Sequence, residues 1–481
     1  MPRVWDVPVR DSTRVRDARV AAEGAAALAG LDERRTAAAA LVATELATNL
    51  LKHAEGGQVL IDVVAPPVLR EGRAESRVVQ IAAIDHGPGI PDVPAALRDG
   101  FSSTRSLGAG LGTCLRLADD FGLHSMPGRG TVAVARVGAT TRGDGTPARP
   151  AVRVWADGVS GSWSGMPAPA TPGGAVPGWS GGGGPGGGLW PSGAPGGASE
   201  NGRPPVGAMA CGGLTGHAAV AGGGPGFAGQ PGGGPGDGGV LKNELTKELG
   251  NEPWSEPVSG VPGREGRPGP SDDSPSPVAA VRAGGVNIPY AGAECSGDAW
   301  AWVRAGERVT LMLADGLGHG PEAARASSAA VAALHRWAHL SPAEALRQLH
   351  EALKSTRGAA VALAQLDLRA GRLRFAGIGN VGARLRTDGT WRHLLSRPGI
   401  VGVHRPGTLR EEEADWADDR LLILHTDGLP SRWTPPSDAG LPAADPAVTA
   451  AVTIRDASSP ARPVRDDTAV AVLTPTPPER P

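Results

Sequence analysis

The chain of 481 residues has almost no net charge: 47 basic and 49 acidic residues leave a formal −2. That balance excludes the overall basic field by which a protein holds nucleic acid. Cysteine is scarce. Cys114, Cys211 and Cys295 lie too far apart in sequence to form a metal-ligand pattern or a disulfide framework. No run of 18 apolar residues occurs, so no transmembrane helix is expected. The N-terminal stretch MPRVWDVPVRDSTR is polar and lacks the apolar core of a secretory signal. Lysine numbers only four against 43 arginines, which with abundant Ala, Gly and Pro reflects a GC-rich coding sequence more than a function. Together these absences lead us to expect a cytoplasmic protein that contacts neither nucleic acid nor membrane.

What is abundant is glycine and proline, 73 and 45 residues, and they are unevenly placed. Residues 141–280 hold 39 Gly and 21 Pro, so 43% of that window breaks regular structure. Such a stretch cannot bury enough apolar surface to offset its ordering entropy. The sequence therefore divides into a first block, residues 1–138, a low-complexity Gly/Pro-rich linker, 139–277, a second block, 278–475, and a short tail, 476–481. Each block is large enough for a core of its own. Five tryptophans and the stretch VLKNELTKELGNEPW, 240–254, lie inside the linker and carry no assigned role.

The first block has the pattern of an α+β sandwich. Asp11-Ser12-Thr13 offers an N-cap for an Ala-rich helix to about Ala29, and Asp32 opens a second helix to about His53. Strands are expected over 58–64, 77–87 and 131–137, with a further helix over about 112–121. Three segments carry chemistry. In ELATNLLKHA, Glu45 and Asn49 are four apart and share a helix face. Asn49 offers a carbonyl oxygen suited to Mg²⁺, and Glu45 a carboxylate able to activate a hydroxyl. In IDHGPGI, Asp85 ends an apolar strand and is followed by Gly87 and Gly89, which let backbone approach a base. In SLGAGLGT, Gly108, Gly110 and Gly112 precede a helix whose free N–H groups suit phosphate.

In the second block, strands end in acidic turns. RVTLMLADGLGHG ends in Asp315-Gly316, RLLILHTDGL in Asp427-Gly428, VRDDTAVAVL opens with Asp466-Asp467, and CSGDAWAWV places Asp298 beside a glycine. Carboxylates so placed converge at one end of a β-sandwich. A set of Asp with room for water suits Mg²⁺ or Mn²⁺ and not Zn²⁺, which prefers His and Cys. Two such ions sharing a carboxylate activate a water and hold a phosphate in line.

In order and spacing, the three motifs of the first block resemble the N-box, G1 and G2 motifs of the GHKL ATPases. The stretch 99–131, closing on GRGT, is most similar to the RsbT-type switch kinases and related anti-sigma kinases. The resemblance implies ATP with Mg²⁺, Asp85 on adenine with Thr131 beside it, Asn49 on the metal, Glu45 as catalytic base, and Gly108, Gly110 and Gly112 around the phosphates. The second block resembles the SpoIIE/RsbX branch of the PPM-type serine/threonine phosphatases through Gly-Asp, ADGLGHG, GIGN, TDG and the terminal Asp-Asp. It implies an αββα β-sandwich and two Mn²⁺ or Mg²⁺ ions. Asp315 would bridge them, the Gly316 carbonyl would ligate, Asp427 and Asp466 would complete one site, and Asp298 would serve the other largely through water. The sequence departs from that pattern at Ala469, where Ser or Thr is usual, and at Ala299-Trp300.

These resemblances imply a partner-switching regulator: a serine/threonine kinase-like domain and a metal-dependent phosphatase acting on a STAS-domain anti-anti-sigma or stressosome-type protein, with a sigma factor or its regulator as a further partner. Two alternatives stand beside it. In one, only the phosphatase is catalytic and the first block senses ATP. In the other, the first block is a binding module for a sigma factor or antagonist.

Overall fold

The computed structural model describes residues 3–54, 56–64, 77–97, 110–138, 281–290, 293, 295–459 and 461–476, and the backbone alone of 151–156 and 159–162. The first block runs β1 (Trp5–Val9), α1 (Ser12–Ala29), α2 (Glu33–His53), β2 (Gly57–Val64), β3 (Val78–Ile84), α3 (Val93–Ala96), α4 (Gly110–Leu117), β4 (Asp120–Met126) and β5 (Gly130–Gly138). Asp11 caps α1 by accepting from the Thr13 N–H at 2.8 Å, and Gly30 ends it in the left-handed region at φ 72°. Both helices bury alanines, among them Ala18, Ala22, Ala39 and Ala43, so they pack closely on one face of the sheet.

Two features differ from the sequence reading. The helix expected to reach Phe121 ends at Leu117, and Asp120–Met126 is a strand. Phe121 and Leu123 alternate into the helix-side core while the strand pairs with β5, and that period-two burial outweighs local helix preference. Strands β6 (Ala151–Ala156) and β7 (Val159–Ser162) extend the same sheet inside the stretch expected as linker, giving the order β1-β2-β3-β5-β4-β6-β7. Gly108, Cys211, the linker tryptophans and the 240–254 stretch lie outside the described residues.

The second block runs β8 (Val281–Ile288), β9 (Asp298–Ala305), β10 (Arg308–Gly316), α5 (Pro321–Trp337), α6 (Pro342–Leu353), β11 (Ala359–Asp367), β12 (Arg372–Ile378), β13 (Gly382–Thr387), β14 (Thr390–Leu394), β15 (Glu412–Asp415), β16 (Leu421–His425), α7 (Pro446–Ala457) and β17 (Thr468–Pro475). Its strands form two five-stranded antiparallel sheets, β15-β12-β11-β10-β9 and β14-β13-β16-β17-β8. Leu311, Phe375, Leu422, Leu424 and Ala471 fill the core between them. Helices α5 and α6 cover the outer face of the first sheet through Ala330, Leu334, Leu346 and Leu349.

Helix α7 covers the outer face of the second sheet, and it is covered in turn. Every residue from Pro446 to Arg455 is buried, the signature of a helix enclosed on all sides. One side meets Val286, Ile423, Val470 and Val472; the other meets Leu60, Ala82, Ile84, Val132 and Val134 of the N-terminal sheet. The two blocks thus share a core and form one compact unit, where the sequence suggested two separate ones. Gly122 makes this approach feasible: a Cβ there would sit 2.7 Å from a Val448 methyl. A polar clamp closes one end. Both Asp445 carboxylate oxygens accept from Arg136 at 2.9 Å, Arg136 also pairs with Asp120, and its Nε donates to Gln80 at 3.1 Å. Gln80 then donates to the Gly285 carbonyl at 2.9 Å. Burial alone would raise the Asp445 carboxyl, but the Arg136 guanidinium holds it below the usual range. No helix among the described residues is long and apolar enough to cross a membrane.

Candidate functional site

The first candidate site lies where β3 ends. Asp85 is buried, and its Oδ1 accepts from Gly87 N–H at 2.8 Å and Thr131 N–H at 3.0 Å. Burial raises its carboxyl above the ordinary range, against the opposing pull of those two donors and of the Arg455 charge. The Asp85 N–H in turn donates to the Thr131 carbonyl, so the two residues are locked as a ladder rung. Gly89, at φ 77°, lets the loop dock on the turn after β4, because a Cβ there would strike the Met126 carbonyl at 2.4 Å. The Thr131 hydroxyl meets Ser125 Oγ at 3.0 Å, which also accepts from Ile90 N–H.

Glu45 and Asn49 lie on α2, opposite the start of α4. The ideal Cβ position of Gly110 is 3.3 Å from Asn49 Oδ1, so any larger residue there would crowd the Asn49 amide. Asn49 Nδ2 is buried without a hydrogen-bond partner. Gly112 is buried in the first turn of α4. Of the sequence-derived set, the structure gathers Asp85, Gly87, Gly89 and Thr131 at one loop, and Asn49 against Gly110 at the α2–α4 contact.

The second candidate site is built by the strand ends of the sandwich. Asp315 and Asp298 are directly opposed across the β9–β10 pairing. Asp427 follows β16, and Asp466 and Asp467 precede β17. The turns are brought together by glycines: a Cβ on Gly428 would strike the Asp467 carbonyl at 2.2 Å, and one on Gly297 would meet Asp467 Oδ2 at 2.8 Å. Burial and the charges of Asp427, Asp466 and Asp467 push Asp315 up to about 7. Burial, with the neighbouring Asp315, Asp467 and Asp427 charges, drives Asp298 well above its ordinary value. The Oδ2 atoms of Asp298 and Asp467 are buried without partners. Negative charge is thus collected among carboxylates that raise one another, and the donor set is all oxygen. Among the described residues, no three acidic, His or Cys side chains close on a single ion position.

Two participants were not singled out by the sequence reading. Asp467 is buried and its Oδ1 accepts from Tyr290 N–H at 2.7 Å, whereas its neighbour Asp466 is exposed. Asn380 donates to Asp427 Oδ2 at 2.5 Å. The signals were the doubled Asp and the GIGN turn, which gave the motif but not which side chain turns inward.

Comparison with known proteins matches each of the two blocks to a family model. Residues 9–136 match the family model described as a histidine kinase-like ATPase domain, and residues 305–475 match that of stage II sporulation protein E (SpoIIE). The first block thus carries the sequence signature of a histidine kinase-like ATPase domain and the second that of SpoIIE. Within the first, similarity is to the serine/threonine-protein kinase RsbT of Bacillus subtilis (strain 168), 43% identical over 88 residues, which is 18% of this chain and 61% of RsbT. The chain thus spans less than two thirds of that relative. Among solved structures, the PP2C phosphatase domain with a regulatory fragment of SpoIIE from Bacillus subtilis is 18% identical over 42% of this chain and 65% of that one, at a TM-score of 0.36. A chain from work on the bacterial stressosome is 26% identical over 40% of this chain and 99% of that one, at a TM-score of 0.36.

Proposed function

We propose that the second block removes phosphate from phosphoserine or phosphothreonine on a protein, and that the first block binds Mg-ATP and phosphorylates the same class of site. The pair then works as a cytoplasmic partner-switching regulator. Its substrate is a small STAS-domain protein of the anti-anti-sigma or stressosome type, with a sigma factor or its regulator downstream.

The observation that carries the phosphatase reading is the group of five aspartates with two orphaned, buried carboxylate oxygens. Such a group is costly unless a cation neutralises it. The all-oxygen set fits two Mg²⁺ or Mn²⁺ ions with water completing their coordination. When bound, those ions supply an activated water and hold the phosphate in line. Asp315, whose carboxyl feels Asp427, Asp466 and Asp467, would hold both ions together with the Gly316 carbonyl. Asp427 and Asp466 would hold one ion and Asp298 the other. To these we add Asp467, whose inward oxygen has no other partner, and Asn380, which fixes the Asp427 carboxylate.

In the first block, the free oxygen of Asp85 accepts the exocyclic amine of adenine, with Thr131 beside it and Gly87 and Gly89 leaving room for the ring. The partnerless Asn49 Nδ2 fits a phosphate oxygen at the start of α4, where Gly110 and Gly112 supply backbone N–H groups, and the Asn49 carbonyl oxygen would hold Mg²⁺; the sequence motif assigns the phosphate role to Gly108 as well. Glu45 accepts the proton of the attacking hydroxyl. A phosphate-release assay on a phosphorylated STAS protein tests the first half. Asp315→Asn or Asp427→Asn is expected to cut turnover by orders of magnitude, and Mn²⁺ or Mg²⁺ to restore the chelated wild type. Restoration by Zn²⁺ alone would overturn the metal assignment. Phosphotransfer from ATP, lost in Glu45→Gln, tests the second half. ATP binding without transfer would leave the first block a sensor.

A further inference from the structure

The last turn of α7 belongs to the phosphatase block by sequence, yet it touches both sides of the Asp85 loop. Arg455 is 1% exposed and its Nη1 donates to the Gly130 carbonyl at 3.3 Å, beside His124 Nδ1 at 3.4 Å. Its own carbonyl accepts from His86 Nε2 at 3.0 Å. The next residue, Asp456, takes Arg455 Nε at 2.9 Å and pairs with Arg129 at 2.9 Å. His86 directly follows Asp85, and Arg129-Gly130 directly precede Thr131. The chain neighbours of the two residues that frame the adenine position, His86 on one side and Arg129-Gly130 on the other, are therefore held by α7. Gly130 transmits contact tightly, since a Cβ there would lie 2.1 Å from the Asp85 carbonyl.

The same chain segment then leads to the other site. After Asp456 it makes a short turn, in which Ser459 and Arg462 exchange backbone hydrogen bonds of 3.1 and 2.9 Å, and reaches Asp466-Asp467 ten residues on. Among the described residues, no helix or strand lies in the chain between the end of α7 and Asp466-Asp467. We propose that the nucleotide site and the phosphatase site are energetically coupled through the last turn of α7 and the 457–467 segment, so that nucleotide on the Asp85 loop orders the Asp466-Asp467 end of the phosphatase site.

The proposal rests on the reading of Asp85 as the adenine contact. Coupling of this kind is reciprocal and typically changes affinities 5–150-fold. It requires no large motion, because one end of a buried helix and one short turn are the only parts that must tighten.

The test uses the full chain, ADP with a chelator present so that neither metal site is filled, titration calorimetry, and amide hydrogen exchange. In the wild type, ADP is expected to slow exchange over 457–467 at least fivefold, although those residues do not contact Asp85. Arg455→Met, close in volume, is expected to weaken ADP at least fivefold and to abolish that protection. Should this variant fail to fold, Arg129→Ala removes only the half-exposed pair with Asp456, and a reduced protection of 457–467 is expected there. ADP that binds the wild type without changing exchange over 457–467 would overturn the coupling and leave the nucleotide reading intact. Protection that persists unchanged in both variants would also overturn it. A wild type that binds ADP neither with the chelator nor with Mg²⁺ restored would defeat the nucleotide reading and the coupling together.

Discussion

Removing the charge of Asp315 should stabilise the metal-free protein at neutral and alkaline pH while abolishing phosphatase turnover. Burial and neighbouring carboxylates push Asp315 from its ordinary 3.8 to about 7. The folded state therefore holds a proton that the unfolded state has released between about pH 4 and 7. Since the folded state binds the extra proton, stability falls as pH rises through that window. Below it the group is protonated in both states and nothing is lost; above it the full penalty applies. A rise from 3.8 to about 7 corresponds to about 4 kcal/mol. In Asp315→Asn this term vanishes, and Asp298 is relieved of its strongest charged neighbour. Urea unfolding with a chelator present, followed by tryptophan fluorescence, measures the gap between the two proteins. The variant should gain on the wild type by up to about 4 kcal/mol between pH 4 and pH 8, with most of the gain made by pH 7. Adding Mg²⁺ at pH 8 should then stabilise the wild type more than the variant. A gap that stays constant from pH 4 to pH 8 would refute the uncompensated carboxylate cluster and, with it, the physical case for a divalent cation there.

Further outcomes follow from the other contacts. Asp85→Asn should abolish ATP binding in calorimetry while the far-ultraviolet circular dichroism is unchanged, because the amide cannot accept the adenine amine in the same way. Asp445→Ala leaves Arg136 buried and only partly paired and removes the cap of α7, and should cost about 3–5 kcal/mol in unfolding experiments. Asp467→Asn should lower phosphate release and raise the Mn²⁺ concentration needed for half-maximal activity, whereas Asp456→Asn should leave the metal requirement nearly unchanged.

Much of the fold was legible in local pattern. Asp11 and Asp32 cap the two helices where the sequence placed them, and the strand-end carboxylates Asp298, Asp315 and Asp427 flank turns set by neighbouring glycines. Those features depend on short spacings, which a sequence displays. Strand β4 was missed because only its pairing with β5 makes DFGLHSM extended. Helix α7 was missed for a related reason. PAVTAAVTIRDA carries no charge before Arg455 and buries even Thr449 and Thr453, since it is enclosed on both sides, and so it lacks the strong periodicity by which surface helices are read. The inward turn of Asp467 rather than Asp466 depends on the β17–β8 register and on Tyr290, 177 residues away in sequence. The polar network from Arg136 to Asp445 spans 309 residues and leaves no local trace.

The enclosed helix also bears on how this protein can be taken apart. Fusions of two catalytic modules are commonly dissected by cutting in the Gly/Pro-rich stretch and expressing the halves. Here a fragment ending after β5 would expose Leu60, Ala82, Ile84, Val132 and Val134 as one continuous apolar face, and the complementary fragment would bare the other side of α7. Exposed patches of that kind drive self-association. Halves made in this way should be sticky and should recombine in solution, and an inactive isolated half would report the loss of its cover as readily as the loss of its chemistry.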